Sequence, residues 1–339
     1  MKHRPAILFL GAALLGAAVL GAEPTRFVID DDEYFDKVID AGVTLLGAGK
    51  LVPLASLRKQ VSIRGTSVHL TSPSHQKLDP PDLYERLRTS TLAVGSFYKC
   101  PDCDDWHFNS SAGFVVGEGG VVCTCCHVVT AEDEGVKEAY LIAADTSGHV
   151  YPVRSILAAD TESDTCFVKI EATGLKPLPL RSGARTGERV YCLSHPGGYY
   201  FMFTQGMIAR LNRRPNDVLD TKGKSTGEFT RPILFLNVTA EFAPGSSGAP
   251  IADEAGNVVG QVASIADAGE PDAGSEDVAP SPSVPVRFCT AAEEILRLAD
   301  PNMKGSPKPE IRSSKSEGSP KAEIRKLRGP AGADRSSSQ

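Results

Sequence analysis

From about residue 91 to 300 the apolar positions fall in short runs broken by Gly, Asp and Pro: "TLAVGSFY", "GFVV", "GGVVCTCC", "TCFVKI", "RVYCL", "PILFLNV" and "NVVGQVASI". Short β-type runs with turn residues between them predict an all-β domain, a sandwich or a barrel. The run "TAAEEILRLA" after Cys289 changes to helical spacing and predicts a C-terminal helix, with Thr290 as its cap. Upstream, "DDDEYFDKVIDAGVTLL" has the period of an amphipathic helix, and "QVSIRGTSVHLT" alternates like a strand. Residues 23–90 thus form an N-terminal region to which the pattern assigns no role.

The two ends read differently. Lys2, His3 and Arg4 precede the apolar run "AILFLGAALLGAAVLGA", which closes in small residues before "EP". This is the pattern of an export signal over residues 1–22, with cleavage expected after Ala22; the run is short for a membrane span, and an uncleaved anchor is the alternative reading. Export to a periplasmic or extracellular location is the expectation. Residues 301–339 are rich in Gly, Ser, Pro and Lys and repeat "GSPKPEIR" as "GSPKAEIR", which predicts a disordered basic tail. The loop "DAGEPDAGSEDVAPSPSVP" reads as a surface loop. The whole chain of 339 residues is 41% hydrophobic with formal net charge -6. That is enough apolar material for a sizeable core, and the balance gives no reason to expect a nucleic-acid partner.

The chemistry centres on "FAPGSSGAPI", residues 242–251. A serine hydroxyl becomes a nucleophile when a histidine takes its proton, a carboxylate orients that histidine, and backbone N–H groups receive the developing oxyanion. His127 lies where a "GFVV"–"GEGG"–"VVCTC" hairpin ends. Asp164 stands immediately before the apolar run "TCFVKI", with Asp160 and Glu162 as nearby competitors. Gly245 and Gly248 bracket Ser246 and Ser247. With Ser247 as nucleophile, the N–H groups of Gly245 and Ser247 form the oxyanion hole. With Ser246 in that role the corresponding position is Pro244, which has no N–H to give. The chemistry therefore favours Ser247.

In the order His–Asp–Ser these pieces resemble a trypsin-fold serine protease, most closely the bacterial HtrA/Deg-type branch. The family's "TNAHVV" stands here as "TCCHVV" (124–129), its "SDLAVLK" as "SDTCFVK" (163–169) and its "GNSGGP" as "GSSGAP" (245–250). The alignment with "SDLAVLK" selects Asp164 over its neighbours. The resemblance covers roughly residues 85–298. It implies two antiparallel six-stranded β-barrels followed by the helix, with the barrel break near residues 180–195 and a protease domain over 91–300. It also implies a serine endopeptidase that needs no cofactor and acts on proteins or peptides through an acyl-enzyme. Glu241 and Phe242, six and five residues before the nucleophile, fall where the family lines its primary specificity pocket. Phe242 filling that pocket implies small aliphatic substrates, and Glu241 reaching into it implies Lys or Arg.

The chain departs from the family at Cys125 and Cys126 before the histidine, at Ser246 for Asn or Asp and at Ala249 for Gly. It shows no sequence of the right composition for the PDZ domain that many relatives carry. A catalytically inactive, peptide-binding relative is the alternative reading. Catalysis by Cys126 is a weaker one, since neighbours on a strand point to opposite faces. The even number of cysteines, 8, favours disulfides in an exported chain. "CPDCDDWH" holds Cys100, Cys103 and His107 at the spacing of a metal knuckle, for which Cys123 or Cys125 is the expected fourth ligand. Export favours disulfides there too, so no metal is expected.

Overall fold

The structure is a computed structural model that describes residues 26–63, 67–131, 135–215, 217–219, 225–268 and 284–300. The export-signal run, the 269–283 portion of the acidic loop and the tail from 301 onward lie outside the described residues.

Among the described residues three helices precede the first strand: α1 (Asp31–Gly47), α2 (Leu54–Arg58) and α3 (Pro80–Arg88). The side chain of Asp30 caps α1 by accepting from Glu33 N–H at 3.0 Å, and acids fill the first turn of α1, which suits the helix dipole. Six strands follow: β1 (Thr91–Lys99), β2 (Trp106–Gly117), β3 (Val121–Thr124), β4 (Ala139–Ala144), β5 (Val150–Asp160) and β6 (Thr165–Ile170). They close into an antiparallel barrel in the order β1-β2-β3-β6-β5-β4. A single helical turn, α4 (Cys126–Thr130), lies between β3 and β4.

The second barrel is built from β7 (Arg189–Ser194), β8 (Met202–Arg214), β11 (Ile233–Val238), β12 (Pro250–Ala252), β13 (Val258–Ala268) and β14 (Val284–Ala291). It too is closed, in the order β11-β14-β13-β12-β7-β8. The small ribbon of β9 (Asp217–Leu219) and β10 (Ser225–Phe229) stands between β8 and β11 in the chain. Helix α5 (Ala292–Ala299) ends the described chain. Two closed six-stranded antiparallel barrels and a C-terminal helix are the architecture expected. Among the described residues no helix is long and apolar enough to cross a membrane.

Each barrel has its own apolar interior. Leu92, Val94, Val115, Val122, Leu141, Val153, Ile156 and Val168 from all six strands fill the first, closed at one end by Leu54 and Leu57 of α2. Residues between them in sequence, such as Ala93 and Phe97, face outward and are buried again under α1 and α3. Burial on both faces explains why these strands read as continuous apolar runs rather than as an alternation. Gly42 on α1 lets the helix approach, for a Cβ there would lie 2.9 Å from the ring of Phe97. Burying a ring such as Phe97 or Phe114 contributes about 1.5–3 kcal/mol. The second interior gathers Val190, Cys192, Ile208, Leu236, Ile251, Val259 and Cys289.

Three expectations need correction. Among the described residues, 60–71 form no strand; Leu70 makes one isolated bridge to Gly117, because a closed barrel leaves no edge for a seventh strand. The connection between the barrels spans 171–188, since Arg189 already begins β7. Thr290 does not cap α5: the cap position is Ala291, without a side-chain bond, and the Thr290 hydroxyl donates instead to the carbonyl of Ser163 at 3.0 Å.

The cysteines also differ from the sequence reading. All eight are free. Six are buried on or beside barrel strands as small apolar side chains, several with the thiol on a protein acceptor. Cys123 donates to Gln261 Oε1 at 3.1 Å and Cys125 to the Val262 carbonyl at 3.2 Å, so neither is a fourth ligand for the Cys100–Cys103 pair.

Candidate active site

The first barrel brings His127 and Asp164 together. β3 ends at Thr124, whose hydroxyl is tied to the Ala112 carbonyl at 2.7 Å, and α4 then presents His127. Asp164 stands at the β5–β6 turn with φ 52, in the left-handed region that Asp tolerates better than most residues. This conformation aims both carboxylate oxygens at His127. Oδ1 accepts the backbone N–H of His127 at 3.0 Å and Oδ2 lies 2.7 Å from Nδ1. The ring proton therefore belongs on Nδ1, which leaves Nε2 as the free acceptor. Burial, the largest influence on His127, favours the neutral ring. The hydrogen bond and charge of Asp164 together outweigh it and raise the imidazole pKa above its ordinary value.

The competing acids are engaged elsewhere. Arg231 pairs with Asp160 at 2.8 Å, with Glu162 at 3.2 Å and with the buried Glu294 of α5 at 2.8 Å. His195, which unlike His127 is fully buried, accepts the N–H of Phe201 on Nδ1 at 3.0 Å, and burial pushes its pKa down to about 4. Cys126 is no rival nucleophile. A hydrogen bond with Cys166 and burial hold its thiol well above the usual range, and it donates to the Thr165 carbonyl at 3.1 Å.

The second barrel supplies the serine loop just before β12. Ser246 N–H bonds back to the Ala243 carbonyl at 3.0 Å, closing a turn with Pro244 and Gly245 in its middle. Gly245 has φ 94, which makes this a type II turn, with proline and glycine where that turn prefers them. A Cβ on Gly245 would sit 2.5 Å from the His195 carbonyl oxygen. The Pro244 carbonyl accepts from Gly197 N–H at 2.8 Å, which fixes the orientation of the next peptide. A trans peptide directs its N–H opposite to its carbonyl, so Gly245 N–H points away from Gly197. Among the described residues neither Gly245 N–H nor Ser247 N–H has a backbone acceptor, whereas those of Ser246 and Gly248 do.

The two serines have different surroundings. Ser246 is fully buried, and its hydroxyl donates to Ser194 Oγ at 3.1 Å and accepts from Ala243 N–H at 3.4 Å. Ser247 is half-buried, with its carbonyl accepting from Ala112 N–H at 2.9 Å. Its hydroxyl makes no hydrogen bond among the described residues. The serine–histidine contact is commonly loose in an unliganded site and tightens on substrate.

The sequence reading missed the residues that tie the barrels together at this point. Gln261 of β13, fully buried, donates to the Asp164 carbonyl at 3.0 Å and to Thr165 Oγ1 at 3.2 Å. Thr290 of β14 holds the carbonyl of Ser163 beside it. The available signal was a glutamine inside the apolar run "VVGQVA". Phe242 is buried in the interior of the second barrel, with the Arg287 guanidinium 5.9 Å from its ring. Glu241 is exposed, and its carbonyl accepts from Thr204 Oγ1 at 2.7 Å. A cavity of about 490 Å³ opens beside the turn, lined by Gly245, Pro244, Gly197, Asn109, Ser110 and Asp31. The N-terminal helix α1 thus reaches the cleft.

The model of the trypsin-like peptidase domain matches residues 111–260, which include His127, Asp164 and Ser247. Over that stretch the chain is similar to trypsin-like peptidase domains, and its curated relatives include HtrA/DegP serine proteases. A probable periplasmic serine endoprotease DegP-like of Halomonas elongata is 27% identical over 152 residues, covering 44% of this chain and 28% of that protein. A putative serine protease HhoB of Synechocystis is 29% identical over 162 residues, covering 47% of this chain and 35% of that protein. Serine protease HTRA1 of Xenopus laevis is 28% identical over 154 residues, covering 44% and 30%. The chain therefore spans about a third of the length of these relatives. Among solved structures, the active form of the Rv3671c protease from M. tuberculosis is 20% identical with a TM-score of 0.48, covering 69% of this chain and 89% of that one.

Proposed function

We propose that the protein is a serine endopeptidase in which Ser247 is the nucleophile, His127 the general base and Asp164 the orienting carboxylate. Ser247 Oγ attacks the scissile carbonyl while His127 Nε2 takes its proton. The oxyanion of the tetrahedral intermediate is received by the N–H groups of Gly245 and Ser247. Collapse expels the amine, which leaves with the proton returned by His127, and the acyl group stays on Ser247 as an ester. Water, deprotonated by the same ring, then attacks the ester and releases the acid. Asp164 keeps the Nδ1 proton in place throughout. No step calls for a cofactor.

The observation that carries this reading is the turn at Ala243–Ser246. It leaves free the two N–H groups this chemistry uses, and it buries the serine the chemistry does not use. The substrates are proteins or peptides. Glu241 and Phe242, six and five residues before Ser247, are the residues we assign to the primary specificity pocket; Phe242 is buried and Glu241 exposed. The basic and apolar N-terminus, together with the periplasmic designation of two relatives, supports export.

The test is covalent labelling with a fluorophosphonate probe. The wild type should label stoichiometrically and Ser247→Ala not at all, while Ser246→Ala still labels. Wild-type protein that neither labels nor cleaves a denatured-protein substrate overturns the proposal in favour of a peptide-binding relative.

A further inference from the structure

β1 and β2 form a hairpin whose tip, Cys100–Asp105, lies outside the chemistry described above. The strands stay paired to its base, Lys99 opposite Trp106 and Tyr98 opposite His107. The tip then folds back tightly. Cys100 N–H donates to the Asp105 carbonyl at 2.8 Å, Asp104 N–H to the Cys100 carbonyl at 3.2 Å, and Asp104 itself takes φ 57. This folding brings the donor atoms of Cys100, Cys103 and His107 to within 4.8 Å of one another. Cys103 Sγ and His107 Nε2 are 3.1 Å apart.

The His107 ring stacks on Tyr98, its cross-strand neighbour, at 5.8 Å between centroids, which holds its face in place. A disulfide between the two cysteines has no use for this third donor.

We propose that Cys100, Cys103 and His107 bind a zinc ion at the tip of this hairpin. Two thiolates and an imidazole are the donor set of a borderline-soft, tetrahedral d¹⁰ cation. Zinc bonds of about 2.3 Å to sulfur and about 2.05 Å to nitrogen, at the tetrahedral angle, separate those two donors by about 3.5 Å. The observed 3.1 Å opens to that span with a ring movement of about half an ångström. Cys103 is exposed, so the fourth position faces solvent and is filled by water. The ion clamps the closed end of β2, whose following residues Asn109 and Ser110 line the cavity beside Gly245. Held as metal-bound thiolates, the exposed Cys103 and the half-buried Cys100 are also protected from oxidation.

The test uses the whole chain, reduced and freed of metal, titrated with Co²⁺. We expect saturation at one equivalent, with a sulfur-to-cobalt charge-transfer absorption that Zn²⁺ displaces. Cys103→Ser and His107→Ala should each abolish stoichiometric binding while still labelling with the fluorophosphonate probe, which shows that the domain is folded. No uptake by the reduced wild type, or full stoichiometry retained in both variants, overturns the proposal. If the probe labels no form of the protein, cooperative thermal unfolding serves as the folding control, so the zinc site stands or falls apart from the peptidase reading.

Discussion

The two barrels contribute to one site in different chemical currencies. The first provides side chains: His127 and Asp164 meet through two hydrogen bonds of 3.0 and 2.7 Å within a single barrel. The second provides backbone: a turn with Gly245 at φ 94 that leaves two N–H groups unpaired, beside the half-buried Ser247. The first half can be assembled from residue types at strand ends. The second depends on conformation, because an N–H exists at nearly every residue and only its direction makes it useful. The second barrel also reaches across, with Gln261 and Thr290 holding the main chain at Ser163 and Asp164. The acid of the first barrel is thus positioned partly by the second.

The largest expected effect comes from removing the proposed nucleophile. Ser247→Ala should lower kcat on the order of 10⁶-fold with an unchanged unfolding midpoint, since the triad members act as a unit. Peptidase assays and thermal melts read the two quantities. Normal turnover in this variant, with loss in Ser246→Ala instead, would reverse the assignment.

Asp164→Asn comes next, at about 10⁴-fold in kcat, because the amide no longer fixes the Nδ1 proton. It also sharpens the side-chain half of the comparison through pH. A raised His127 pKa keeps the ring protonated to higher pH, so kcat/KM in the wild type should fall on the acid side with a midpoint above the ordinary ~6.5. The Asn variant removes the raising influences and leaves burial, so its midpoint should move down. An acid limb that stays put or moves up contradicts the pairing.

The backbone half is tested by Gly245→Ala. At φ 94, and with its Cβ 2.5 Å from the His195 carbonyl, alanine forces the turn open and misdirects the N–H. A loss of about 10²–10³-fold in kcat is expected, the cost of one oxyanion donor. Labelling by the probe should slow in parallel.

Gln261→Met probes the contact between the halves. It removes the donor to the Asp164 carbonyl and the acceptor of the Cys123 thiol. Urea unfolding should register a loss of about 1–3 kcal/mol, and kcat should drop about tenfold through looser geometry. Unaltered stability would mean that the barrels are not coupled there. The smallest effect belongs to Ser246→Ala, about tenfold in kcat, since its buried hydroxyl shapes the turn through Ser194 and Ala243 without touching substrate.

Much of this protein was determined by its sequence alone. Short apolar runs separated by turn residues specify strands because each run carries its own local preference and turn chemistry. Pro244 and Gly245 specify the oxyanion turn for the same reason: proline presets φ at one position, and glycine alone accepts φ 94 at the next without strain. The proposed choice of Ser247 over Ser246 as nucleophile rests on the same local chemistry, since Pro244 lacks an N–H. Other features were decided by the tertiary structure, since they join residues far apart in the chain. Neither period nor spacing links Gln261 to Asp164 or Arg231 to Asp160 and Glu294. The "QVSIRGTSVHLT" run alternates like a strand, yet its described residues make only single backbone contacts to the first barrel, at Ile63 and Leu70, because that barrel closes on itself. Thr290 has the residue type of a helix cap, but β14 continues through it and turns its hydroxyl to Ser163. The six buried cysteines are apolar filling for strands packed on both faces, and only the closure of those barrels puts them there.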